Sequence, residues 1–197
     1  MNSKLITKII AGMYRGKTIE LPSLETTRSS KGILKESFFN VLQYDVIDTI
    51  FVEAFGGSGS IGLEAISRGA KHSYFCEIDK NSYKVLEKNC KTVDGEKSTP
   101  ILGDTFEILP RLINSFKNDS IIVYIDPPFD FRDGMDTIYQ KSFEMVEQLT
   151  NENIFLVTFE HKSELTLPDI IGTFRKYKTK KFGNSCLSYF QKLEIEE

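Results

Sequence analysis

What most constrains this chain is an alternation. Short runs rich in β-branched and aromatic residues, at Thr49–Phe55, Ser73–Ile78, Thr99–Leu102, Ser120–Asp126 and Ile154–Glu160, are separated by helical patterns near residues 61–69, 80–92, 104–116 and 134–149. Strands that alternate with helices are joined by crossovers, so the sheet they build is mostly parallel and covered on both faces. The end of the chain breaks the pattern. Thr173–Lys181 and Ser185–Ile195 are separated only by Phe182-Gly183-Asn184, so these runs are expected to pair as an antiparallel hairpin. The expected fold is α/β and Rossmann-like: seven strands, mostly parallel, the last antiparallel, with helices on both faces. Ahead of it, residues 6–22 read as a short hairpin around Gly12-Met13-Tyr14-Arg15-Gly16. Ile33–Leu42 reads as a helix with Leu34, Phe38, Val41 and Leu42 on one face. This divides the chain into a basic extension, 1–42, and a main domain, 43–197.

A length of 197 residues suits one domain with a small appendage. No apolar run reaches the length of a membrane span, and the first eleven residues lack the pattern of a signal peptide, so the cytoplasm is the expected location. The three cysteines, Cys76, Cys90 and Cys186, fall in no metal-binding spacing and read as small core residues. His72 and His161 have no histidine partner at helical spacing, so no metal site is expected. The net charge of −3 is unevenly spread. Residues 1–35 carry seven Lys and Arg against two Glu, net +5, which leaves −8 on the remainder. A second basic run, Arg175-Lys176-Tyr177-Lys178-Thr179-Lys180-Lys181, lies near the C-terminus. Such segments on an acidic body suit phosphate groups, or are simply solvated charge; charge alone does not decide.

Gly57-Ser58-Gly59-Ser60-Ile61-Gly62 follows the first strand of the main domain and opens a helix, so its G-x-G-x-x-G pattern stands in the context that gives it meaning. Glycines let the backbone turn sharply and let a ligand approach without a Cβ in the way. Twenty residues after Gly57, Glu77 closes the second strand, where a carboxylate can accept hydrogen bonds from both hydroxyls of a ribose. Asp104 follows the third strand. It is placed to cap the next helix, with Glu107 completing a capping box, or to contact a base edge as well. An adenosyl-type cofactor follows from this set, but the loop does not choose between NAD and S-adenosylmethionine.

The fourth strand ends in Asp126-Pro127-Pro128-Phe129, at the carboxyl end where parallel sheets bind ligands. The prolines fix an extended turn and remove competing N–H donors. Asp126 can accept a hydrogen bond from an amino group, and Phe129 offers a face on which a flat base can stack. An exocyclic amino nitrogen is a poor nucleophile because its lone pair is delocalised into the ring. Accepting its hydrogen bonds favours a tetrahedral nitrogen aimed at an electrophile, and catalysis is then chiefly positioning, with Asp126 able to take the proton. A base attacked in this way must leave its stack.

These motifs resemble two nested families. The architecture resembles the class I S-adenosylmethionine-dependent methyltransferases. Within that class the chain is similar to the RsmD family, which methylates guanine N2 in 16S ribosomal RNA. The segment Ile9-Ile10-Ala11-Gly12-Met13-Tyr14-Arg15-Gly16-Lys17, Arg28 with Lys35-Glu36-Ser37-Phe38-Phe39-Asn40-Val41-Leu42, the stretch Phe55–Ala70 and Asp126–Phe129 all match that family's pattern. Lys31-Gly32 replaces its usual Thr-Asp, which removes the expected helix cap, and Glu53 stands where Asp is common. The resemblance implies S-adenosylmethionine as cofactor, held by Glu53, Phe55, Gly57, Ser58, Gly59, Gly62, Glu77, Ile78, Asp104 and Thr105. It implies Asp126, Pro127, Pro128 and Phe129 as the catalytic motif. The partner it implies is 16S rRNA in a small-subunit assembly, with residues 1–42 facing the RNA and Arg15, Lys17, Arg28 and Lys35 as phosphate contacts. A monomer fits the size. The competing expectations are an N6-adenine-type methyltransferase using the same Asp-Pro-Pro-Phe, an NAD-dependent oxidoreductase, and a non-catalytic RNA-binding module. The oxidoreductase needs a Tyr/Lys or His acid–base motif that is not evident. An intact Asp126–Phe129 argues against the last.

Overall fold

The apolar runs become the strands of one sheet. The computed structural model describes residues 5–22, 28–128 and 135–193, excepting the side chains of 28–31 and 135–136. The elements are β1 (Ile6–Lys8), β2 (Thr18–Glu20), α1 (Arg28–Leu42), β3 (Ile50–Glu53), α2 (Ser60–Ser67), β4 (His72–Glu77), α3 (Lys80–Asp94), β5 (Ser98–Leu102), α4 (Thr105–Ser115), β6 (Ile121–Ile125), α5 (Met135–Glu147), β7 (Ile154–Lys162), β8 (Ile170–Ile171), β9 (Phe174–Phe182) and β10 (Ser185–Lys192). All seven expected strands are present in an eight-stranded sheet of order β5-β4-β3-β6-β7-β10-β9-β8. The eighth, β8, is a two-residue edge piece paired with the start of β9. Strands β3 to β7 are mutually parallel, and β10 runs antiparallel to both β7 and β9.

The central strands β3 and β6 are buried along their whole length, which is why they read as continuous apolar runs without alternation. Alternate residues serve opposite layers. Val52, Val123 and Ile125 pack with Leu109 and Ile113 of α4 and with Tyr139, Met145 and Val146 of α5. Phe51, Ile122 and Tyr124 pack instead with Leu34, Phe38, Phe39 and Leu42 of α1. A third cluster joins α2 and α3 to the N-terminal hairpin through Ile9, Ile19, Leu63, Ile66, Phe75 and Leu86. The hairpin and α1 therefore share cores with the sheet. All three cysteines are buried free thiols, and burial pushes Cys76 up to about 11. Among the described residues no helix is long and apolar enough to cross a membrane.

Two expectations are corrected here. Helix α1 begins at Arg28, five residues ahead of Ile33, so Lys31-Gly32 lie inside its first turns and not in a preceding loop. One glycine in a helix costs only about 1 kcal/mol, which the apolar face of α1 outweighs. Lys35 is not a surface cation: it is 3% exposed, and its ammonium donates to Lys8 O at 3.1 Å and Ser60 Oγ at 3.2 Å. It also lies 3.5 Å from Glu64 Oε2. Burial pulls the Lys35 ammonium below the ordinary lysine range, against the upward pull of the Glu64 carboxylate.

Glu64 explains why a charged lysine is tolerated there. This carboxylate, 0% exposed on α2, accepts the N–H groups of Ile10 at 2.8 Å and Ala11 at 3.0 Å and Nε–H of Arg68 at 2.8 Å. Beside it the chain touches α2 directly. Met13 N–H donates to Ser67 O at 2.7 Å, and a Cβ on Gly12, at φ +82°, would lie 1.8 Å from that same oxygen. Removing one member of a buried charge network leaves the others desolvated and unpaired, which costs about 3–5 kcal/mol. Glu64→Ala is therefore expected to lower unfolding free energy by about that amount in a urea titration, with Lys35→Met costing clearly less because three other donors still hold Glu64. Equal losses for the two variants would refute this account of the network.

Candidate active site

The order of the sheet decides what meets what. Strands β4 and β5 continue to one side of β3, and β6 and β7 to the other, so the crevice at their carboxyl ends opens between β3 and β6. Along that end, Asp104 follows β5, Glu77 closes β4, the glycine loop follows β3 and Asp126 follows β6. With strands ~4.8 Å apart, the row spans about 14 Å. Residues far apart in sequence are thus lined up by parallel pairing alone.

The glycine loop is pinned at one end and open at the other. Glu53, buried at the end of β3, accepts the N–H of Gly62 at 2.8 Å. A Cβ on Gly62 would lie 2.4 Å from Cε1 of Phe75, so only glycine lets α2 pack this closely on β4. Gly59, at φ +74°, starts α2, which has no side-chain cap. Asn89 Nδ2 donates to Ser58 O at 2.8 Å, and Phe55 packs edge-on against Phe106 with centroids 5.8 Å apart. Gly57 differs from all of these. Its φ is +50°, and among the described residues, its chain neighbours aside, no atom lies within 4 Å of where a Cβ would stand.

Glu77 ties this loop to the neighbouring strand. Its Oε2 accepts the N–H of Gly57 at 2.8 Å and its Oε1 that of Asp79 at 2.8 Å. A carboxylate has about four acceptor sites, so two remain for a diol. Beside it, Ile78 is 65% exposed and Leu102, paired in register with Glu77, is 45% exposed; they form an apolar edge suited to a flat ring. Asp104 caps α4 by accepting the N–H of Phe106 at 2.9 Å, and Thr105 is buried in the first turn behind it. The electrostatics are equally informative. A dinucleotide needs free loop N–H groups for its pyrophosphate. Here carboxylates already hold two of them, at Gly57 and Gly62. The row of Glu53, Glu77, Asp104 and Asp126 favours a ligand that carries positive charge.

At the end of β6, Asp126 is partly exposed, Pro127 buried and Pro128 exposed. Phe129 lies outside the described residues. The floor under Asp126 is a pair that sequence reasoning missed. Tyr124 OH donates to Glu160 Oε2 at 2.6 Å, with both residues buried. Burial, with the nearby Glu160 and Asp126 carboxylates, pushes the Tyr124 hydroxyl far above the usual tyrosine range, so it stays a donor. Glu160 stands one residue past Phe159, the register partner of Ile125. The available signal was a carboxylate closing an otherwise apolar strand. Among the described residues no cluster of His, Cys, Asp or Glu is arranged to hold a metal.

The four expected phosphate contacts differ in their surroundings. Arg15 is exposed, the side chain of Arg28 lies outside the described residues, and Lys35 is buried. Lys17 serves the fold. Its ammonium donates to Thr92 O and Val93 O, both at 3.0 Å, at the C-terminus of α3, where unpaired carbonyls attract a cation. The same ammonium lies 4.5 Å over the ring of Tyr14, whose hydroxyl donates to Asp94 at 2.7 Å, so Tyr14 packs the hairpin.

Comparison with known proteins agrees with this geometry. The family model described as "Conserved hypothetical protein 95" matches residues 7–191. A relative from Haemophilus influenzae named ribosomal RNA small subunit methyltransferase D is 35% identical over 132 residues, covering 66% of this chain and 67% of its own. A structure described as "Putative methyltransferase yhhF from Escherichia coli" superposes with a TM-score of 0.73 at 26% identity, over 95% of this chain and 98% of the other. The fold recurs at 11% identity and TM-score 0.68 in a structure described as "complexed with SAH", over 89% of this chain and 54% of the other. A glycine loop held by two carboxylates, an Asp-Pro-Pro turn one strand away and a match along almost the whole chain lead to one statement: this protein belongs to the RsmD family of methyltransferases, the family described as conserved hypothetical protein 95.

Proposed function

We propose that the chain methylates the exocyclic N2 of a guanine in 16S rRNA of the small ribosomal subunit, with S-adenosylmethionine as methyl donor. The observation that carries this reading is the capture of the Gly57 and Gly62 N–H groups by Glu77 and Glu53, one strand away from Asp126. It disfavours a pyrophosphate and favours a cation beside a target-binding turn.

The residues present fit the cofactor. The open space at Gly57 admits a ligand against the backbone, and the free acceptor sites of Glu77 suit ribose hydroxyls. Ile78 and Leu102 would hold the adenine of the bound cofactor, and Asp104 would accept from its amino group. When bound, the cofactor supplies a methyl group activated on a sulfonium. Asp126 accepts hydrogen bonds from the guanine amino group, turns the nitrogen lone pair out of the ring plane and takes the proton that transfer releases. Pro127 and Pro128 hold that turn rigid, and Phe129 supplies the stacking face. Tyr124 and Glu160 fix the strand end beneath it.

The test incubates the purified chain with labelled S-adenosylmethionine and unmethylated small subunits. Label is expected in N2-methylguanosine, and Asp126→Ala should lower kcat by about 10²–10⁴-fold while leaving affinity for S-adenosylhomocysteine within about twofold. Label in N6-methyladenosine would overturn the acceptor; undiminished turnover by Asp126→Ala would overturn the mechanism.

The two ends of the glycine loop should also respond differently. Gly62→Ala forces a methyl against Phe75 and is expected to cost about 1–3 kcal/mol of stability without any ligand. Gly57→Ala meets no atom of the described residues beyond its chain neighbours and should cost only about 1–2 kcal/mol for its left-handed backbone. Its calorimetric affinity for S-adenosylhomocysteine should nonetheless fall by about tenfold or more, since the new methyl occupies the approach to the backbone. Wild-type affinity in Gly57→Ala would place the cofactor elsewhere.

A further inference from the structure

The basic run at residues 175–181 is not absorbed by the site described so far. It forms most of β9, and β9 is nearly an open edge. Strand β8 pairs only with Phe174 and Arg175, so beyond that point one side of β9 has no strand partner among the described residues. The register places this edge relative to the chemistry. Lys180 is opposite Leu187, Leu187 is opposite Glu160, and Glu160 is level with Asp126, one residue past the Phe159–Ile125 pair. Lys180 therefore lies in the cross-sheet row of Asp126, three strands away, or about 14 Å.

The side chains also share a face. Lys178 and Lys180 stand opposite Tyr189 and Leu187, which belong to the core under α1. Tyr177 sits where the register shifts, with its ring 6.1 Å from that of Tyr189 on the same side. Arg175 stands opposite Gln191, next along that face. Lys180 donates to Ser37 Oγ on α1 at 3.3 Å, which holds its ammonium at the seam between β9 and the helix. On the opposite face Lys176 is engaged by Asp169 at 2.9 Å and Leu167 O at 2.7 Å. Among the described residues no ion pair holds Arg175, Lys178 or Lys180, and Asp45 is the carboxylate that acts on Tyr177.

We propose that this face of β9, with Arg175, Tyr177, Lys178 and Lys180, is a track for the phosphodiester backbone of the RNA strand that carries the target base. The proposal rests on the reading of an RNA acceptor and adds where that RNA lies. Charge complementarity supports it. The segment carries five cations and no acid within a chain of net charge −3, so the cations are concentrated where a polyanion could pass and reach Asp126. Lysines alone would serve to keep an exposed edge from pairing with another chain. That role does not call for a tyrosine 47% exposed among them, whereas cations interleaved with an aromatic face suit a nucleic-acid strand.

The test uses the triple variant Arg175→Gln/Lys178→Gln/Lys180→Gln, none of which touches the cofactor row. Methylation of unmethylated small subunits is measured across a KCl series, alongside S-adenosylhomocysteine affinity and thermal stability. The expected result is a KM raised by about tenfold or more, and a slope of log affinity against log salt shallower by about 2, with kcat at saturation retained. Cofactor affinity and melting temperature should be unchanged. Tyr177→Ala should raise KM where Tyr177→Phe does not. A triple variant with wild-type KM and salt slope overturns the proposal while leaving the methyltransferase reading intact, and so does one that only self-associates, which would mark the lysines as edge protection. A wild-type chain that neither binds nor methylates small subunits overturns both.

Discussion

One buried carboxylate ties the N-terminal hairpin, α1 and α2 together. Glu64 gathers two N–H groups from the N-terminal hairpin, the guanidinium of Arg68 and the ammonium of Lys35 on α1 around helix α2. The partners come from the hairpin, from α1 and from the end of α2 itself, and α2 is also the helix that the glycine loop opens. A charge buried in this way is tolerable only when surrounded by donors, so the network is demanding as well as stabilising. Its consequence is positional. Wherever α2 sits, the hairpin and α1 must sit with it.

The same logic recurs at the site. Glu53 and Glu77 are carboxylates that spend acceptor capacity on loop N–H groups rather than leaving them for an anion. A glycine-rich strand–loop–helix is chemically ambiguous, because its N–H groups can serve a phosphate or be retired. Here two of them are retired, and the end of the sheet becomes acidic. Side-chain chemistry one strand away, and not the loop pattern, chooses the class of ligand.

Much of this was legible beforehand, and the limits have physical causes. The seven strands followed from run length and spacing because a parallel sheet buried on both faces leaves little else for such runs to do. Strand β8 was invisible because two residues carry no period. The start of α1 was misplaced because Lys31-Gly32 looks like a break, while the force that carries the helix through it is tertiary. The placement of Glu77, Asp104 and Asp126 at the carboxyl end of the sheet was readable because each closes or follows a strand. The lysines were not. Sequence gives their charge but not its destination, and Lys35 goes into the core while Lys17 goes to the end of α3. Glu160 and Glu64 were missed for the same reason, since a carboxylate inside an apolar pattern shows its partners only in three dimensions.

The acidic row also bears on how an RNA can be served. A phosphodiester strand cannot lie across Glu53, Glu77, Asp104 and Asp126 without bringing like charges together. A neutral base carries no such penalty. On the proposed reading the charge pattern separates the substrate into two parts: its backbone is held away from the sheet end, and only the base enters. That arrangement requires the base to leave its stack, which the proposed attack by an exocyclic amino nitrogen held at Asp126 requires independently. Repulsion of the backbone and access to the nitrogen are thus met by the same geometry, with cations at the β9 edge and carboxylates at the strand ends. A cofactor that is itself cationic is drawn to the row that turns the backbone away, so one set of carboxylates can sort the two substrates by charge.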